Sequence, residues 1–244
     1  MFECAGGGRL GNPGLAGQLS DGHRPAFGEE PGQAVEWARR LNDFEAEQVA
    51  HRPDRFAGFA ALPMQDPDQA ITELRRCVRE LGFVGAMING FSQVGAEDTA
   101  VYLDDPRYRP FWAEVQELDV PIYLHPRDSL PSQSQIYQGH PWLLGSAWAF
   151  SVETGTHALR LMGSGLFDTY PRLQVILGHF GELLPFNIWR TDHRIEVGPR
   201  GIPAQRPLGH YLRNNFHLTG MSASCSNSAD GNPERTAARS TGAR

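Results

Sequence analysis

Apolar side chains follow two alternating rhythms along residues 33–219. In some stretches they form short unbroken runs, and in others they recur every three or four positions. The first rhythm is that of a strand buried on both faces, and the second that of an amphipathic helix. Residues 33–50 set Ala34, Trp37, Ala38, Leu41 and Phe44 on one helical face, and RFAGFAALP (55–63) reads as a short buried strand. Asp66-Pro67 supplies an N-cap and a proline at the first helical position. The helix it opens turns Ile71, Leu74, Val78 and Leu81 inward and stops at Gly82. FVGAMIN (83–89) is the next strand. Asp105-Pro106 opens a helix carrying Phe111, Trp112, Val115 and Leu118, and VPIYLH (120–125) follows as a strand. Residues 153–166 are helical in pattern, with Leu159, Leu161, Met162 and Leu166. Strand LQVILGH (173–179), a helix near 182–195 and strand NNFHLT (214–219) complete the series.

Continuous apolar strands alternating with helices imply an α/β fold with a parallel sheet covered on its faces. Five strands are expected, ending in Pro63, Asn89, His125, His179 and Thr219. In a barrel of parallel strands those C-terminal ends line the site, and a doubly wound sheet uses the same edge. No GxGxxG or GxxxxGK[ST] follows any strand, so a nucleotide-binding sheet lacks its usual support.

The two ends differ from this middle. Residues 1–32 hold nine of the 27 glycines, and Met221–Arg244 contains no Val, Ile, Leu, Phe, Tyr or Trp. Segments so poor in large apolar side chains do not offset their chain entropy, so 1–32 and 221–244 are expected to be disordered around a domain at 33–220. The net charge of −6 argues against a nucleic-acid partner. Cys4, Cys77 and Cys225 form no CxxC pair or disulfide framework, which suits a reducing compartment. No run approaches the roughly 18 apolar residues of a membrane span, and no apolar signal segment opens the chain. The expectation is a cytoplasmic protein without a membrane partner.

Two buried strands that end in histidine set the chemical question. Imidazole is a common ligand for Zn, Mn or Fe and the natural acid–base group near neutral pH. His125 and His179 on matching strand ends would face one mouth. Either one by itself reads equally well as a core histidine. Glu182, three residues past His179, suits a carboxylate that orients the ring, or a helix-start acid that favours the dipole. Arg190 suits a grip on a substrate carboxylate, or a surface pair with Asp192 or Glu196. His140, His157, His193 and His217 read as structural or exposed. Trp142, Trp148 and Phe150 suit core or lid packing, or the wall of a flat pocket.

Several long strings, among them YLHPR, IYQGHPWLLGSAWAFSVET, LQVILGHFGELLPFNIWRTDHR and NNFHLT, resemble the amidohydrolase-related metal-dependent decarboxylases. The resemblance covers about residues 33–219 and is nearest to the γ-resorcylate and 2,3-dihydroxybenzoate type. It implies a (β/α)8 TIM barrel of the metal-dependent hydrolase type. It also implies non-oxidative decarboxylation of a hydroxybenzoate, a small aromatic carboxylate. By resemblance His125 is a ligand to a divalent metal, Mn or Zn; His179 is catalytic with Glu182 as its partner; and Arg190 contacts the substrate. A homo-oligomer is expected. The family's opening Glu-x-His is absent from residues 1–60, and its Ser-Thr-Asp-[Trp/Tyr]-Pro string does not follow Thr219. Three of the four ligands that the resemblance implies are therefore missing. The expected barrel is incomplete and its metal weakly bound or absent. Two alternatives stand beside the decarboxylase: a metal-dependent hydrolase of the same superfamily, and a non-catalytic barrel fragment.

Overall fold

A computed structural model describes residues 31–95 and 98–220. The disorder expected near the two ends falls on residues that lie almost wholly outside this range. Five strands form one parallel sheet in chain order: β1 (Phe59–Ala61), β2 (Gly85–Asn89), β3 (Ile122–His125), β4 (Val175–Leu177) and β5 (Phe216–Leu218). The helices are α1 (Pro31–His51), α2 (Pro67–Arg79), α3 (Arg109–Leu118), α4 (Ala149–Gly163), α5 (Leu166–Thr169), α6 (Leu184–Val197) and α7 (Leu208–Asn215). The expected caps are present. The Asp66 side chain accepts from the Asp68 and Gln69 amides at 3.1 Å each, and Gly82 takes a positive φ of 71° past the end of α2.

Strand register explains which apolar residues sit inside. Ala60, Ala86, Ile122, Val175 and Phe216 lie side by side, with Ile88, Leu124 and Leu177 one pleat further on. All are buried in one core with Leu74, Phe111, Trp112, Leu161, Met162 and Leu166 of the helices. Each large side chain among them contributes about 1.5–3 kcal/mol by leaving water. The alternate positions Ala61, Met87, Tyr123 and Ile176 are half-buried, and His217 is exposed. Among the described residues the helices thus cover one face of the sheet, not the two expected. Chain-order strands with helices on one side are the arrangement of a barrel arc, whereas a doubly wound sheet reverses its strand order.

Helix α1 also departs from its apolar pattern. Trp37 and Phe44 are exposed, while Asn42 is fully buried. The reason is the outer edge of β1. The Asn42 Oδ1 accepts the Ala61 amide at 2.8 Å, and its Nδ2 donates to the Ala61 carbonyl at 3.0 Å and to Glu73 Oε1 at 2.8 Å. Glu45 Oε1 accepts the Phe59 amide at 3.1 Å. These side chains take the hydrogen bonds that a neighbouring strand would take.

His157 of α4 lies inside the core at 1% exposure, edge-on to Tyr102. Its Nε2 accepts the Leu103 amide at 3.0 Å, which makes the ring a neutral Nδ1–H tautomer, and Nδ1 has no partner among the described residues. Burial pushes its pKa down to about 3. The unfolded chain, with an ordinary histidine near 6.5, then binds one more proton than the folded chain between those values. Stability should fall as pH drops from about 6.5 towards 3. Urea unfolding at several pH values should show a shallower acid-side loss in His157→Gln; an unchanged slope would count against this origin.

Candidate active site

The C-terminal ends of β2 to β5 come together at one edge of the sheet. Asn89 stands opposite His125 in register, and β4 and β5 end beside them. His125 and Tyr123 share the helix-free side of β3, as positions i and i+2 of a strand must. The His125 Nδ1 is 2.9 Å from the Pro126 carbonyl, so it donates there and leaves the Nε2 lone pair unengaged by that bond. Burial holds this imidazole below its ordinary pKa, against the hydrogen bond to Pro126, so it is neutral near pH 7. Arg127, the arginine of LHPR, fixes the loop beyond. Its guanidinium donates to the Phe91 carbonyl at 2.6 Å and to Gln93 Oε1 at 3.0 Å while lying 3.9 Å over the Phe91 ring.

His179 lies past the end of β4, in a turn spanning His179–Glu182. Five consecutive residues there have positive φ: His179 (50°), Phe180 (57°), Gly181 (77°), Glu182 (50°) and Leu183 (66°). A left-handed conformation costs an L-residue about 1–2 kcal/mol, so this turn persists through what grips it. The Phe180 amide donates to the Thr219 carbonyl at 2.9 Å, and the Thr219 amide donates to the Leu177 carbonyl at 2.9 Å. The end of β5 therefore holds both β4 and the turn. Tyr123 adds a floor: its hydroxyl is hydrogen-bonded to the Thr219 side chain and stands 2.5 Å from where a Cβ on residue 178 would lie. A side chain at residue 178 would push against that hydroxyl. The sequence reading missed Tyr123, although the alternation in IYLH puts it on the same side as His125.

The turn brings His179 Nδ1 to 2.6 Å from Glu182 Oε1. The Glu182 side chain is fully buried, and its Oε2 has no hydrogen-bond partner among the described residues. Glu182 is thus a buried partner of His179, and it directly precedes Leu183, the N-cap of α6. The hydrogen bond to Glu182 raises the His179 pKa, against partial desolvation. The charges of His179 and Glu182 both act on His125, which places the three groups in one electrostatic neighbourhood. This set can hold a proton on one imidazole and a lone pair on the other.

Arg190 is exposed on α6 and has no carboxylate partner among the described residues. Asp192 is engaged elsewhere, accepting the Leu208 and Gly209 amides at 2.6 and 2.9 Å at the start of α7. No hydrogen bond or ion pair links Arg190 to His125, His179 or Glu182 among the described residues. Trp142 and Trp148 are exposed, which excludes core packing for them. No group of three or more His, Cys, Asp or Glu side chains among the described residues could hold a metal ion. The donors present therefore do not fit the closed shell of four to six that a resident divalent ion needs.

Residues 18–195 match the model of the Amidohydrolase family, Amidohydro_2. The γ-resorcylate decarboxylase of Rhizobium radiobacter is 61% identical over 190 residues, covering 77% of this chain and 58% of that protein. A solved 2,6-dihydroxybenzoate decarboxylase complexed with 2,6-dihydroxybenzoate superposes with a TM-score of 0.75 at 60% identity, over 78% of this chain and 59% of that one. The dihydroxybenzoic acid decarboxylase of Polaromonas sp. JS666, solved with manganese and 2-nitroresorcinol, gives 0.75 at 58% identity, over 78% and 58%. The chain spans a little under three fifths of the length of these relatives. With the parallel sheet, the paired histidines at its C-terminal edge and a family match over most of its length, the chain belongs to the amidohydrolase family.

Proposed function

We propose that these residues form the proton-handling part of a non-oxidative decarboxylase acting on a hydroxybenzoate-type acid. The observation that carries this reading is the 2.6 Å His179–Glu182 hydrogen bond at the strand-end mouth. Glu182 favours the protonated ring of His179, which can give a proton to the ring carbon bearing the carboxylate. The bond from that carbon to the carboxylate then breaks, its electron pair returns to the aromatic ring, and CO2 leaves. The half-exposed His179 ring regains its proton from water. His125, neutral and with Nε2 unengaged by its bond to Pro126, is the residue that would contribute to a divalent ion, Mn or Zn. Held with further donors, such an ion would supply charge stabilisation. Arg190, exposed on α6, is the residue that would meet the substrate carboxylate. The absence of a three-donor cluster among the described residues favours a second reading, in which this chain does not turn substrate over without further residues.

Two experiments separate the two readings. Residues 33–219 exchanged into the Rhizobium 2,6-dihydroxybenzoate decarboxylase should give a manganese-dependent enzyme that releases CO2, with a loss of at least about 100-fold in His179→Ala. A chimera that folds and binds manganese without turnover would refute the decarboxylase reading. The 244-residue chain itself should bind Mn or Zn weakly in calorimetry and release no CO2. Turnover by it, lost in His179→Ala, would refute the second reading.

The raised His179 pKa gives a stability window. A base whose folded pKa lies above its unfolded value stabilises fully below about 6.5, and that contribution fades as pH rises through the folded value. Glu182→Gln should lower the His179 pKa, read from its ring protons by NMR, and abolish this part of the pH dependence. An unmoved pKa would show that Glu182 does not set it.

A homo-oligomer has a natural contact surface on α6. Phe186 and Trp189 are 86% and 78% exposed, and Phe180 stands exposed on the adjoining turn. Apolar faces of this kind on a soluble domain mark interaction surfaces. Trp189→Asp should lower the mass seen by light scattering; an unchanged oligomer would place the contact elsewhere.

A further inference from the structure

We propose that Gly155 of α4 is a positioning residue for the His179–Glu182 pair. A glycine inside a helix is less favourable than alanine, so its place at the middle of α4 needs another cause. That cause is the approach of the turn. A Cβ at residue 155 would lie 2.8 Å from the Glu182 carbonyl oxygen and 3.8 Å from the Glu182 Cβ. The contacted atom is backbone, so no rotamer change removes it.

The far side of the turn has no slack either. Phe180 is bonded to Thr219, and the Leu218 side chain packs where a Cβ on Gly181 would be, 2.9 Å from it. Helix α4 and the end of β5 thus pinch the left-handed turn between them. Inside the pinch the Glu182 carboxylate is fully buried at 2.6 Å from the imidazole. Any displacement of the Glu182 backbone acts on that separation. The inference rests on the reading of His179 and Glu182 as the proton-handling pair, and it adds a residue outside the motif that contains them.

The test uses the full chain, thermal unfolding and the ring 15N signals of His179 at one fixed pH. Glu182→Gln supplies the reference for a broken pair. Gly155→Ala should shift the His179 signal towards that reference and lower Tm by at least about 3 °C. A role limited to helix propensity gives the opposite sign, a raised Tm with the signal unmoved, and that result overturns the proposal. Gly163→Ala, in the same helix with its nearest neighbour Ile202 at 3.4 Å, should leave the His179 signal where it is; a comparable shift there would also overturn it. If Gly155→Ala does not fold, the comparison is made in a Phe180→Gly background, which relieves one left-handed residue of the turn, and it is read in the same way. A His179 signal that Glu182→Gln leaves unmoved removes the pair and the proposal together. A signal that moves in Glu182→Gln but not in Gly155→Ala removes the positioning role and leaves the pair.

Discussion

Two hydrogen bonds to Thr219 hold the chain in a conformation that L-residues resist, and the site exists because they do. One ties β5 to the end of β4, and the other ties β5 to the first amide of the left-handed turn. Without that grip the four non-glycine residues of the turn would relax to negative φ, and a contact three residues apart would no longer be enforced. The strain is local and its support is not: Thr219 lies 40 residues downstream of His179, and Tyr123, under Gly178, belongs to a third strand. The histidine–carboxylate pair is therefore a property of the assembled sheet edge. An isolated HFGE segment would not hold it.

Part of this arrangement is visible in the residues alone. Buried parallel strands announce themselves as unbroken apolar runs, and a run that stops on histidine marks a polar group at a sheet edge, which is why His125 and His179 stand out. Caps such as Asp66-Pro67 are legible because the donors they satisfy are fixed by helix geometry. The left-handed turn is not legible. Gly181 is its one residue with a natural tendency to positive φ, and the others adopt it under tertiary constraint. The burial of Asn42 escapes a periodicity argument for a similar reason, since apolar spacing favours Trp37 and Phe44 and cannot register an amide that binds a strand edge. Helix α7 is not legible either, because its eight residues carry too few apolar repeats to show a period.

The sheet's two faces divide the work of the fold. The side packed against the helices is apolar in every strand and supplies the burial that holds the arc together. The other side alternates apolar residues with Asn89, Tyr123, His125 and His217, so the chemistry and the exposure coincide there.

The side-chain bonds on the outer edge of β1 bear on how this molecule behaves in a crowded solution. An uncovered edge strand is a template on which another chain can add, with ordered aggregates as the end point. Here the Phe59 amide is already matched by Glu45, and the Ala61 amide and carbonyl by Asn42. A foreign strand approaching that edge must first displace a buried amide that also holds Glu73, leaving polar groups without partners in the core. Among the described residues Asn42 thus occupies the hydrogen-bonding positions that strand addition at this edge would need, whether or not the site turns over substrate.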